Sequence, residues 1–376
     1  MAAPTPLIAV VLPPREGFGP GRTGAVGMIA QRLAAAPGPF RTLMIGGPQK
    51  GETFAAPRFR AVAPGWLDWG NVNLRHAAAI ARALRPLAPA LIEVHNRPEI
   101  ALSLASRLPQ AKVALFLHND PLTMRGARSP AERLAMLDRL ARVVTVSDYL
   151  RRRLLQNIAA PEGRTPAVLP NCIDLAALPP PAAEREKLIL FVGRVVPEKA
   201  PDVFVAACAA ALPRLPGWRA AIIGADRFRD DSPDTGFVRT VRAAAEAAGV
   251  ALLGYRDHPA VLDAMARAAM LVMPSRWQEP FGLTALEAMA SGAALVASPR
   301  GGLPEVGGET ALYADPDDPA AFTAAILALA TNPAHLAAQA AAGRARARRF
   351  DLPPTAAMLH ALRRDILAAG ARRAGG

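Results

Sequence analysis

Short apolar runs separated by helix-length segments recur along almost the whole of this 376-residue chain. In the first half they are "PLIAVVLPP", "RTLMIGG", "ALIEVHN", "KVALFLHND" and "RVVTVSD"; in the second, "KLILFVGRV", "RAAIIGA", "VALLGY", "MLVMPS" and "ALVASP". Such alternation predicts parallel sheets covered by helices on both faces, an α/β class in both halves. The length suits two cores better than one. The join is "LAALPPPAAEREK", stiffened by Pro179, Pro180 and Pro181. The expected organisation is a Rossmann-like domain over residues 1–175, a linker over 176–186 and a second Rossmann-like domain over 187–349, both doubly wound. Domains joined in this way would face each other across a cleft, with ligands at the carboxyl ends of the strands.

Several classes are disfavoured. Cys172 and Cys208 are far apart and in apolar surroundings, which argues against a disulfide framework or a zinc site and for a reducing cytoplasm. The N-terminus has no basic leader before its strand-length apolar run, so a signal peptide is not expected. The alanine-rich stretch "PAAFTAAILALATNPAHLAAQAAAG" is broken at Asn332-Pro333 and reads as two helices, not as a membrane span. A nucleic-acid binder would explain the net charge of +13, but aromatics are only 5% and no basic-aromatic module is present.

The charge is unevenly placed. Residues 1–184 carry +10, residues 185–343 carry −3 and residues 344–376 carry +6. One part of the chain is therefore expected to meet an anionic partner that the other does not; an arginine-rich genome with a solvated face would give the same pattern.

Two stretches carry chemistry. After the strand "LILFVG", Arg194 and Lys199 precede a helix start at Ala200-Pro201, the place where a diphosphate would lie. Only 4 of the 44 basic residues are lysines, so Lys199 stands out, and a compact ammonium is a good point-charge partner for phosphate. The bland alternative is a surface cation pair. The second stretch is "RWQEPFGLTALEAMASG", where a Pro-Phe-Gly turn should open a helix. The backbone N–H groups of Gly282, Leu283 and Thr284 would lack intrahelical acceptors there and point toward an anion. Glu287, one turn into the helix, could accept from vicinal hydroxyls such as those of a ribose, while Glu279 precedes the turn. Ordinary helix-dipole and surface charges are the competing explanation for the two carboxylates.

With "FVGRVVPEK" followed by "PSRWQEPFGLTALEAMASG", the chain resembles a retaining nucleotide-sugar glycosyltransferase of the GT-B fold, glycosyltransferase family 4 (glycosyl transferases group 1). "LPNCID" at 169–174 and "GLPEVGG" at 302–308 are similar to further segments of the family. The resemblance implies that Arg194 and Lys199 neutralise the donor diphosphate, helped by the amides of Leu283 and Thr284, with Phe281 and Gly282 of the turn also contacting the donor. Glu287 would hold the ribose and Glu279 the transferred sugar. Tyr255 and Arg256 of "GYRD" would lie near the base. His118, ending the strand "LFLH", resembles the family's active-site histidine; a lone histidine is more often structural. The glycine-rich loop "GFGPGRTGAVG", represented by Gly21, would approach the donor phosphate or the acceptor. It departs from the family's commoner Gly-Gly pattern.

The implied reaction moves a hexose from a UDP- or GDP-linked donor to a glycan or glycolipid acceptor, as in the synthesis of lipopolysaccharide or another bacterial surface polysaccharide. Departure of the diphosphate leaves negative charge that Arg194, Lys199 and the helix start can stabilise, so neither a metal nor another cofactor is expected. The aspartate run "ADPDDPAAF" reads as a loop and helix cap. No second carboxylate suited to a double displacement is evident, which leaves same-face attack by the acceptor. In the family the C-terminal helix, about 350–376 here, crosses back onto the N-terminal domain. The acceptor side would then be strongly basic and would dock on an anionic bilayer or a phosphorylated lipid-linked glycan, with Arg151, Arg152 and Arg153 contributing. That places the protein in the cytoplasm, peripheral to the inner face of the membrane. A sucrose- or trehalose-type synthase of the same fold is the alternative.

Overall fold

The computed structural model describes residues 5–66, 68–182, 184–227 and 231–371; Ala183 of the linker and Arg372 and Arg373 of the basic tail lie outside the described residues. The chain forms two compact units, Met1–Cys172 with Leu352–Gly376, and Ile173–Asp351.

The first unit is built on β1 (Leu7–Val11), β2 (Arg41–Gly46), β3 (Phe59–Ala61), β4 (Leu91–His95), β5 (Lys112–Leu117), β6 (Arg142–Thr145) and β7 (Ala167–Val168). They form one parallel sheet in the order β3-β2-β1-β4-β5-β6-β7. The second unit holds β8 (Glu186–Val192), β9 (Arg219–Ile223), β10 (Val250–Leu252), β11 (Ala268–Met273), β12 (Ala294–Ala297) and β13 (Ala311–Tyr313), parallel in the order β10-β9-β8-β11-β12-β13. In both sheets the first strand of the unit lies inside, and the chain winds outward from it first on one side and then on the other. The crevice left where the order reverses, between β1 and β4 and between β8 and β11, is where a doubly wound sheet takes ligands.

All ten apolar runs are strands. Among the described residues, β3, β7 and β13 were not foreseen; each closes an edge of its sheet and is only two or three residues long. Two or three residues are too few to show a strand period in the sequence. Central strands are longer, and every residue of β4 and of β11 is buried. Cys172 and Cys208 are both buried, and no disulfide joins them. The alanine-rich stretch is two helices, Pro319–Ala330 and Pro333–Ala347, with a sharp bend where the Asn332 side chain caps the second by accepting from His335 N–H. No single helix among the described residues is long and apolar enough to cross a membrane.

The C-terminal helix, Leu352–Ala371, belongs to the first unit, where it packs on the helix Ala25–Ala35. Its Arg363 reaches the sheet and donates two hydrogen bonds to the Glu93 carboxylate on β4, at 2.8 and 2.7 Å. Both side chains are almost wholly buried, so the last helix is tied to the middle of the first sheet by a desolvated, bidentate pair.

Candidate active site

In the second unit the carboxyl ends of β8, β9 and β11 surround an open cavity of about 640 Å³. Its lining includes Gly193, Arg194, Lys199, Gly224, Tyr255, Arg256 and Thr284. The loops reach it in a fixed order. Gly193 N–H donates to Ile223 and Val195 N–H to Ala225, which ties the loop after β8 to the end of β9. Gly224 sits at φ +151°, and a Cβ there would lie 1.8 Å from the Gly193 carbonyl oxygen. Only glycine allows that approach. Gly224 N–H in turn donates to Gly254, bringing the Tyr255-Arg256 turn alongside.

Arg194 is half-buried and makes no hydrogen bond or ion pair among the described residues. Lys199 is different. It ends a short 3-10 turn, Pro197–Lys199, and after Ala200 in the left-handed region the helix Pro201–Ala211 begins. Its ammonium pairs with the Glu279 carboxylate, which also accepts from Ser275 Oγ at 2.8 Å. Glu279 is buried, and its own backbone carbonyl accepts from Gly302 N–H at 2.7 Å. The carboxylate is therefore fixed from the "GLPEVGG" side and from Ser275, and it fixes Lys199.

The Pro-Phe-Gly turn does open a helix, Leu283–Ala290, whose N-cap is Gly282 at φ +108°. Thr284 in its first turn lines the cavity, and the amides of that turn have no acceptor within the helix. Phe281 was expected beside the donor; it is instead buried and packs edge-to-face on Phe350, with centroids 5.6 Å apart. It is a core residue that positions the turn. Glu287 lies one turn in as expected, with Oε1 2.8 Å from His258 Nε2. His258 was missed, because its pairing with the helix Leu283–Ala290 follows from topology and leaves no local pattern. The aspartate run caps and pairs: Asp318 accepts from Ala320 and Ala321 N–H, and Asp315 and Asp317 pair with Arg300.

In the first unit His118 follows β5 and is buried. It is not alone. Its Nε2 lies 2.8 Å from His95 Nδ1 at the end of β4, and its backbone N–H donates to Asn96 Oδ1 at 2.7 Å. Burial first, then the neighbouring His95, pushes the His118 pKa down to about 3; burial and the Arg363 charge do the same to His95, also to about 3. Both imidazoles are therefore neutral at physiological pH. They line a narrow cleft together with Glu93, Asn171 and Arg363. His95, Glu93 and Arg363 were not singled out from sequence, although "IEVH" does place two polar residues inside an otherwise apolar strand.

Gly21 has φ +68°, stands exposed and has nothing within 4 Å of a would-be Cβ. The start of the helix Ala25–Ala35, where the loop was expected to meet phosphate or acceptor, already has a carboxylate: Gly27 N–H donates to Glu16 at 3.3 Å. Burial raises the Glu16 pKa against the lowering effect of these amides. Arg151 and Arg152 both pair with Asp148, and Arg153 with Asp120. These arginines, expected to meet an anionic partner, have local ones.

Two family models match the chain in sequence, Glycosyltransferase Family 4 over residues 28–177 and Glycosyl transferases group 1 over residues 186–332. The putative glycosyltransferase YtcC of Bacillus subtilis is 29% identical over 253 residues, 61% of this chain and 60% of that protein. The lipopolysaccharide core biosynthesis mannosyltransferase LpsB of Rhizobium meliloti is 34% identical over 224 residues, 53% of this chain and 62% of that protein. The chain thus spans less than two thirds of the length of either relative. Sucrose-phosphate synthase from Thermosynechococcus elongatus matches in structure with a TM-score of 0.73 at 22% identity, over 96% of this chain and 99% of that one. Anabaena HepE in complex with UDP-glucose matches with a TM-score of 0.72 at 16% identity, over 95% and 99%. At these identities the structures speak for a shared GT-B fold. With the two family domains following one another along most of its length, the chain belongs to the glycosyltransferases of family 4.

Proposed function

We propose that the chain is a retaining hexosyltransferase that takes a hexose from a UDP- or GDP-linked donor and passes it to a glycan or glycolipid acceptor of a bacterial surface polysaccharide. The observation that carries this reading is the cavity at β8, β9 and β11, where an unpartnered arginine, a carboxylate-anchored lysine and a helix start converge.

As the glycosyl bond breaks, the diphosphate gains negative charge and the sugar gains oxocarbenium character. Arg194 is free to turn onto the diphosphate, and Lys199 is held in place by Glu279, so little reorganisation is required when charge develops. The first-turn amides of the helix Leu283–Ala290 add donors of fixed direction. Glu279 would accept from a sugar hydroxyl while keeping Lys199 aligned, and Glu287, steadied by His258, would take the ribose. His118, neutral, would act as a hydrogen-bonding group and not as a cation. These residues supply the charge stabilisation themselves, which supports a metal-independent reaction. Support for the nucleotide-sugar donor comes from HepE, described in complex with UDP-glucose. LpsB, a lipopolysaccharide core mannosyltransferase by description, supports the acceptor class.

The test is turnover of UDP-, GDP- and ADP-sugars in EDTA, with the anomeric configuration of the product read by NMR. Retention with one donor, undiminished by EDTA, is expected. Inversion, or activity that vanishes with the chelator, would contradict the reading. Transfer to free sugar phosphates alone would favour a synthase of the sucrose type.

A further inference from the structure

His118 is gripped at two points by the residues that end β4. Its backbone N–H donates to Asn96 Oδ1 at 2.7 Å, and its Nε2 lies 2.8 Å from His95 Nδ1. Asn96 reaches that position at φ +54°, in the left-handed region that asparagine tolerates. The His95 ring is itself fixed, stacking on Phe116 and on His118 with both centroid distances 5.1 Å.

Both imidazoles are neutral, so in the contact between them one nitrogen donates and the other accepts. The surroundings decide which. The second nitrogen of His95, Nε2, is buried and has no hydrogen-bond partner among the described residues. A proton there would orphan an N–H donor in the interior, and the nearby Arg363 charge disfavours it further. A bare lone pair at Nε2 costs less. The His95 proton therefore sits on Nδ1 and is donated to His118 Nε2, and His118 keeps its own proton on Nδ1. Asn171 supports this independently. It lies beside His118 in the same narrow cleft and favours the protonated ring, as a carbonyl oxygen does when it accepts from a ring N–H. Asn171 Oδ1 is buried and otherwise unpartnered. With Nε2 taken by His95, the ring N–H it can meet is the one on Nδ1.

We propose that His95 is a positioning residue that locks His118 in its Nδ1–H tautomer, so that His118 offers a substrate oxygen a hydrogen-bond donor and cannot act as a base. The inference rests on the transferase reading only for the identity of that substrate, an oxygen of the transferred sugar being the acceptor that such a donor fits.

The experiment is a long-range proton–nitrogen correlation spectrum of protein carrying isotope-labelled histidine, at neutral pH, for wild type, His95→Asn and His95→Phe, with donor kinetics for each. The chain has six histidines, and His118→Asn identifies the His118 signals by their loss. In wild type, His95 and His118 should both show a protonated Nδ1 and a bare Nε2. Asparagine carries an amide donor near the place of the imidazole Nδ1, so His95→Asn should keep the His118 tautomer and hold kcat within about threefold. Phenylalanine stacks but donates nothing. His95→Phe should let the His118 tautomers mix and lower kcat about tenfold or more, with KM changing less. A wild-type His118 protonated at Nε2 would overturn the proposal. An unchanged tautomer or unchanged kcat in His95→Phe would do the same, as would equal losses in both variants, which mark a merely structural role. If the wild type turns over no nucleotide sugar, the transferase reading fails, and the spectra alone then decide whether His95 sets the tautomer.

Discussion

Lys199 and Glu279 stand 80 residues apart in the chain and share one ion pair, which Ser275 completes. Each stretch carries a local pattern, a cation at a helix start or a carboxylate before a glycine turn, and so each was legible in the sequence. Their pairing was not, because it follows from β8 and β11 being neighbours. Removing the ammonium in Lys199→Ala should lower turnover about 10²- to 10³-fold, as loss of one preorganised donor does. Glu279→Gln should keep the hydrogen bonds but release Lys199, giving a smaller loss that shows more in kcat than in KM. Steady-state kinetics of the two variants checks both. The His95–His118 pair makes a different prediction. Their folded pKa values, about 3, lie below the ordinary 6.5. The unfolded chain therefore binds more protons, and the stability these groups contribute is whole above about pH 6.5 and is lost as pH falls toward about 3. His95→Phe, which can stack on Phe116 as His95 does, should flatten the acid limb of urea midpoint against pH. An unchanged limb would show that the pair is not the cause.

At the scale of elements, the site depends on loops that approach more closely than side chains allow. Gly224 and Gly193 touch backbone to backbone, and Gly282 turns left-handed against Leu303, whose Cδ2 would lie 2.6 Å from an added Cβ. Gly224→Ala should part the loops after β8 and β9, weakening nucleotide-sugar binding about tenfold or more and costing roughly 1–3 kcal/mol of stability. Calorimetric titration and urea unfolding of the one variant measure the two effects. The central strands and the helix starts at Pro201 and Leu283 could be read because they are apolar runs followed by glycine or proline signals. The edge strands β3, β7 and β13 could not, because two or three residues are too few to show a period; β10, equally short, was caught by the longer apolar run "VALLGY". The Pro-Phe-Gly turn was legible as a turn, yet the side chain of Phe281 was misassigned: a phenylalanine that packs on Phe350 has the same sequence context as one that faces a ligand.

Taken as a whole chain, the fold class and the two-unit plan were legible because parallel strands buried on both faces leave continuous apolar runs. The return of the last helix to the first unit was carried by family resemblance, since Glu93 and Arg363 are 270 residues apart and show no pattern that links them. Arg363→Ala would strand a buried carboxylate and should destabilise the first unit by about 3–5 kcal/mol, seen as a lower unfolding midpoint. The charge asymmetry was also plain from sequence. The central claim concerns the cavity of the second unit, and the most direct measurement is calorimetric titration of wild type and Arg194→Ala with UDP- and GDP-sugars in EDTA. One donor should bind the wild type and bind the variant at least about tenfold more weakly, because Arg194 is the unpartnered cation of the cavity. Equal affinity in both proteins, or no binding of any donor to the wild type, would contradict the assignment of that cavity to the diphosphate.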